Sequence, residues 1–150
     1  TAYRAPRTAD GVDRTLAMIN YGLLVASLAF AGLPAIAALL IAYFQRPESP
    51  PQIKGHLTFQ IRIFWIGFTF SLIAALCLLA DLFIVRAALI AYARAGETGF
   101  PVEGFGTAAL VLAGVAAASV FATVVWTIGA CGFGIVRLAG GRGIGQSDAP

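Results

Sequence analysis

Charge is scarce in this chain. Charged side chains make up 11 % of its 150 residues, against about 25 % in a typical soluble domain. Leu16 to Phe44 and Thr107 to Val136 carry no charge at all, and Ile63 to Ala91 carries only Asp81 and Arg86. None of the three runs has the polar stripe that a soluble surface helix needs. Histidine and methionine occur once each, as His56 and Met18 on different faces, which excludes bis-histidine haem ligation within one chain. Gly140-Gly141-Arg142-Gly143-Ile144-Gly145 follows an apolar helix rather than a strand and lacks the closing Gly-Lys-Ser/Thr of a phosphate loop. It reads as a flexible tail. No nucleophile, base and orienter can be assembled, so no catalytic, cofactor-binding or metal-binding residue is expected. The net charge of +3 sets seven acidic residues against ten basic ones, which are scattered at helix ends and tails. They are placed for lipid phosphates, and without aromatic interleaving they call for no nucleic acid.

What the chain does have is hydrophobic length. With 59 % hydrophobic residues and a mean hydropathy of +0.87, each run of about 29 residues makes a helix of about 43 Å, enough to cross a bilayer with tilt. The expected fold is all-α: one integral membrane domain over residues 1–150, with three transmembrane helices at about 16–44, 63–91 and 107–136. Arg4, Arg7 and Arg14 before an apolar run ending in Ala29-Phe30-Ala31 resemble a secretory signal, but the run continues to Phe44 and fits a retained span better. Residues 1–15 then form a polar lead-in. Gly32-Leu33-Pro34 near the middle of the first span predicts a kinked single helix in preference to a hairpin, whose halves would each be too short to cross. Asn20 lies near enough to one end to meet interfacial water. Cys77 and Cys131 differ in expected depth by more than about 10 Å, beyond disulfide reach, and read as packing residues.

Residues 45–62 form the loop richest in chemistry. Ser49-Pro50 is a helix start, from which one helix can run through an interfacial extension into the second span. Ile53, Leu57, Ile61, Phe64 and Phe68 make an apolar stripe. Gln52, His56 and Gln60 share another face, which continues into Gly67, Ser71 and Ala75. Those three small residues are expected to pack against Gly114, Ala118 and Ala122 of the third span. Ser119, Thr123 and Thr127, with Cys131, line up at steps of four as hydrogen-bonding glue or the wall of a narrow polar path. Asp81 is the most costly residue in a membrane and is expected to pair with a basic group of its own face, Arg14 or Arg94. His56, Gln60 and Arg62, with Trp65 in the interfacial belt, are expected to form the main polar contact, with the Arg137 end of the third helix or with a partner subunit.

Tyr21-Gly22-Leu23-Leu24, Ile41-Ala42-Tyr43-Phe44, the string His56-Leu57-Thr58-Phe59-Gln60-Ile61-Arg62-Ile63-Phe64-Trp65-Ile66-Gly67, Trp126, and Ile135-Val136-Arg137-Leu138-Ala139-Gly140 together resemble a family of small bacterial inner-membrane proteins of unassigned function. That family is grouped with the chloroplast inner-envelope protein-import channel (Tic-type) superfamily, and the resemblance covers about residues 16–142. The chain departs from the pattern at Ile63, where a small polar residue such as Thr is expected, and in its Gly- and Pro-rich second loop. Two function classes follow. One is a non-enzymatic accessory, assembly or structural subunit of a larger respiratory, photosynthetic or translocation complex in the cell inner membrane. The other is a component of a protein- or ion-conducting channel, which the superfamily likeness and Asp81 suggest. The expected partners are the lipid bilayer and a larger membrane complex or homo-oligomer. With three spans the basic residues divide evenly between the faces, and the acidic residues break the tie toward loop 45–62 and the C-terminus in the cytoplasm.

Overall fold

A computed structural model describes residues 9–30, 32–96 and 106–144. Arg4, Arg7, most of the second loop and the tail after Ile144 lie outside them. The described chain is helical: α1 (Ala9–Ala26), α2 (Leu33–Gln45), α3 (Pro51–Ala95) and α4 (Thr107–Ala139). Two of these, α3 and α4, are long and apolar enough to cross a membrane, not the three expected.

The correction falls on the first apolar run. It does not form one kinked helix. Residues 27–30 form turns, Gly32 N–H donates to Ser27 O at 2.9 Å, and Gly32 takes a left-handed φ of 84°. A side chain would be strained at that angle. Pro34 falls in the first turn of α2, where its missing N–H costs nothing, so it starts a helix instead of bending one. At about 20 Å, α2 is too short to cross a bilayer. It packs instead on α1, with Ala35, Ala38 and Ala42 joining Ala17, Tyr21 and Leu24 in one buried cluster. The lead-in is also helical from Ala9 onward. Ser49 Oγ donates back to Gln45 O at 2.9 Å, closing α2, and does not cap α3.

The fold divides into two compact units, one of Thr1–Gly67 with Val124–Pro150 and one of Phe68–Thr123. In the first, Arg14 reaches Ala139 O (2.7 Å) and the Tyr21 ring lies against Gly134, so α1 runs antiparallel to the last turns of α4. His56 meets Arg142 O and Phe59 meets the Phe133 ring, so the foot of α3 is also antiparallel to α4. The short turn 46–50 joins the end of α2 to the start of α3. The start of α1, the end of α2, the start of α3 and the end of α4 therefore gather at one end of this unit. The α1–α2 pair starts and finishes at that end.

In the second unit, the less exposed residues of α3 include Phe70, Ala74, Cys77, Asp81, Ile84 and Ala88, and those of α4 include Ala109, Leu112, Ala116, Ser119 and Thr123. Both series alternate steps of three and four, the spacing of a left-handed coiled-coil seam. The expected steps of four leave that face, because each advances about 400° and so gains about 40°. Gly67 is buried, but Ser71, Ala75, Gly114 and Ala118 are exposed and Ala122 only half-buried.

Candidate functional site: a buried polar clamp

The polar face of the α3 foot points into the first unit. His56 and Gln60 are 0 % and 1 % exposed, and so are Asn20 and Tyr21 of α1, at 0 % each. Gln60 Nε2 donates to Ala17 O (2.9 Å) while Gln60 Oε1 accepts from Asn20 Nδ2 (2.6 Å). One amide thus ties α3 to the backbone and to a side chain of α1.

His56 makes the second tie. Its Nε2 lies 2.9 Å from Arg142 O, and a carbonyl can only accept, so Nε2 carries the proton. In the neutral ring Nδ1 is then an acceptor, and Tyr21 Oη donates to it across 3.1 Å. The two rings meet edge to face, with centroids 6.2 Å apart. Gly134 makes room for the tyrosine, because a Cβ there would run into its ring. The segment after α4 is fastened at further points: Gln52 Nε2 donates to Gly141 O, Arg137 Nη1 donates to Gly143 O (3.2 Å), and the backbone of Ile144 lies where a Cβ on Gly55 would be.

The cluster gathers only part of the expected contact. His56 and Gln60 join, and their partners are α1 and the segment after α4. Arg137 lies over the Phe133 ring (5.4 Å) as well as reaching Gly143. Arg62 is exposed and stands apart, and Trp65 Nε1 turns to Tyr43 Oη of α2 (3.4 Å). Asn20 does not meet interfacial water, and neither it nor Tyr21 was among the expected contact residues. Ala17, Asn20, Tyr21 and Leu24 follow one another at steps of three, one and three, which keeps them on one helical face, and that stripe was the available signal.

Asp81 forms no ion pair among the described residues, and its Oδ1 is buried without a hydrogen-bond partner. Arg14, one of its two expected partners, is committed to Ala139. Thr123 Oγ1 bonds Ser119 O (2.9 Å), one turn back along its own helix, and Ser119 and Thr127 are both buried. Both cysteines are free.

Desolvation holds the pKa of His56 below its ordinary value, the bond to Arg142 O works against that, and the Arg137 charge adds to the depression. A base with a lowered folded pKa contributes stability that is fully present above its unfolded pKa of about 6.5 and is lost as pH falls from there through the folded value. The midpoint of thermal unfolding in detergent should therefore drop as pH falls below the unfolded value of about 6.5, and His56→Gln should flatten that slope. A wild-type midpoint independent of pH across this window would refute the neutral clamp. The chain matches no family model, no curated protein and no solved structure.

Proposed function

We propose that this chain is a non-enzymatic inner-membrane protein with two complete crossings and a re-entrant helix pair, serving as an accessory or assembly subunit of a larger membrane complex. The observation that carries the membrane reading is the direction its apolar surface faces. Only 6 % of the most apolar stretch of α3 and 17 % of that of α4 is buried within the chain. A soluble core helix buries such a surface, whereas lipid leaves it facing out. Leu110, Phe121 and Val136, each at least 70 % exposed, need hydrocarbon or another protein around them.

The accessory role is supported by how the polar groups are used. Both ring nitrogens of the one histidine are engaged in holding helices together, and Gln60 and Asn20 serve the same end. These side chains join parts of a scaffold. Membership of the small bacterial inner-membrane family, and through it the cytoplasmic membrane as location, belongs to the same proposal and rests on the residues of the His56–Gly67 string. A conducting role is the second reading, favoured by the unpartnered Asp81 Oδ1 on the inner stripe of α3.

Isolation of the chain from native membranes in mild detergent separates the two. An accessory subunit should elute with other integral membrane proteins in fixed stoichiometry. If it elutes alone or only with copies of itself, and vesicles holding it leak protons or ions, the conducting reading replaces the first.

A further inference from the structure

One face of the α3 foot takes no part in the clamp. Lys54, Thr58, Arg62 and Trp65 follow one another at steps of four, four and three, along the side opposite the buried His56 and Gln60. Lys54 and Arg62 are exposed, and neither forms an ion pair or a side-chain hydrogen bond among the described residues. The foot from Pro51 to Gly67 contains no acidic residue to neutralise them. Helical side chains lean toward the N-terminus of their helix, so the Arg62 guanidinium is carried back toward Thr58 and Lys54. One turn further along, Trp65 (49 % exposed) meets Tyr43 (47 % exposed), an indole and a phenol side by side, with Phe44 next in α2 exposed at 78 %. Aromatic groups of this kind settle where headgroups give way to acyl chains.

We propose that this face is a seat for the phosphate of an anionic phospholipid, held by Lys54 and Arg62, while its acyl chains lie along Trp65, Tyr43 and Phe44; the Thr58 hydroxyl between them is turned back to Lys54 O (2.9 Å) and leaves the seat to the two cations. The inference rests on the membrane reading above and adds the chemistry of the occupant. A phosphate without a compensating ammonium complements two unneutralised cations, and a zwitterionic headgroup brings its own positive charge. The nearby ring pair fits a ligand with a hydrocarbon body, which free phosphate lacks.

The test uses the full chain in nanodiscs made from equal amounts of phosphatidylcholine and phosphatidylglycerol, followed by extraction in mild detergent and analysis of the retained lipid. Each cation near the surface is worth about 1 kcal/mol, so phosphatidylglycerol should be enriched about fivefold for each of the two. Lys54→Gln and Arg62→Gln, both on the exposed face, should each reduce the enrichment by that factor. In the detergent-solubilised protein, phosphatidylglycerol should raise the unfolding midpoint and inorganic phosphate should not. Wild-type protein that retains the two lipids in their bulk ratio overturns the inference and leaves the membrane reading standing. Equal protection by inorganic phosphate also overturns it. A chain that enters neither lipid removes both readings together.

Discussion

Gln60→Leu should destabilise the protein more than any exposed substitution, by about 1–3 kcal/mol for each polar group it leaves unpaired. The group at stake is the Asn20 amide, which is bonded to Gln60 and fully buried, whereas the Ala17 carbonyl loses one bond but keeps its helical one within α1. Asn20 has no reserve, since its Oδ1 is already without a partner. Leucine fits the volume but supplies neither the acceptor nor the donor. Gln60→Glu keeps the acceptor for Asn20, loses the donor to Ala17 and adds a charge, so it should not rescue. Arg62→Gln, two residues on but exposed, should change the unfolding midpoint little. Unfolding in detergent by heat and by denaturant gives the comparison, and equal midpoints for Gln60→Leu and Arg62→Gln would mean that the clamp does not hold α1.

The second expected result is a topology in which both ends of the chain face the same side. If α3 and α4 are the two crossings and α1–α2 returns to its own face, the segment before α1, the turn 46–50 and the segment after α4 share one face. Arg4, Arg7, Arg14, Arg46, Lys54, Arg62, Arg137 and Arg142 then lie on that side, and Arg86 and Arg94 toward the other end of α3. The even division of basic residues that three spans would give becomes eight against two, and the positive-inside tendency assigns the eight to the cytoplasm. Reporters fused before α1 and after Pro150 should both be active only in the cytoplasm, and one placed between Gly96 and Gly106 only outside. Opposite signals from the two ends would restore three crossings and refute the re-entrant pair.

The sequence made α3 and α4 legible because each is an unbroken apolar run, and the run into α3 begins at a recognisable start after Ser49. The α1–α2 hairpin was not legible by hydropathy, since both of its helices are apolar and a reversal between them changes no average. Its signal was local: a glycine at Gly32 with a proline two residues later reads equally as a kink or as a stop followed by a start. The seam was misread for a geometric reason, because a ladder of small residues at steps of four winds off the face that steps of three and four keep. His56 and Gln60 were legible as companions on one face of α3. Their partners Asn20 and Tyr21 were not, because only the return of α2 sets α1 beside that face.

The clamp also constrains how the protein is made. A chain emerges from its N-terminus, so Asn20 is made 40 residues before Gln60 exists to bond it, and His56 precedes its Arg142 acceptor by 86 residues. The amide waits only for the foot of α3, but the imidazole lacks its acceptor until the last turn of α4 and the segment after it have been synthesised. Any product cut short before Arg142 leaves His56 Nε2 permanently without its acceptor, which distinguishes it from the finished protein for the proteases and chaperones that survey new chains.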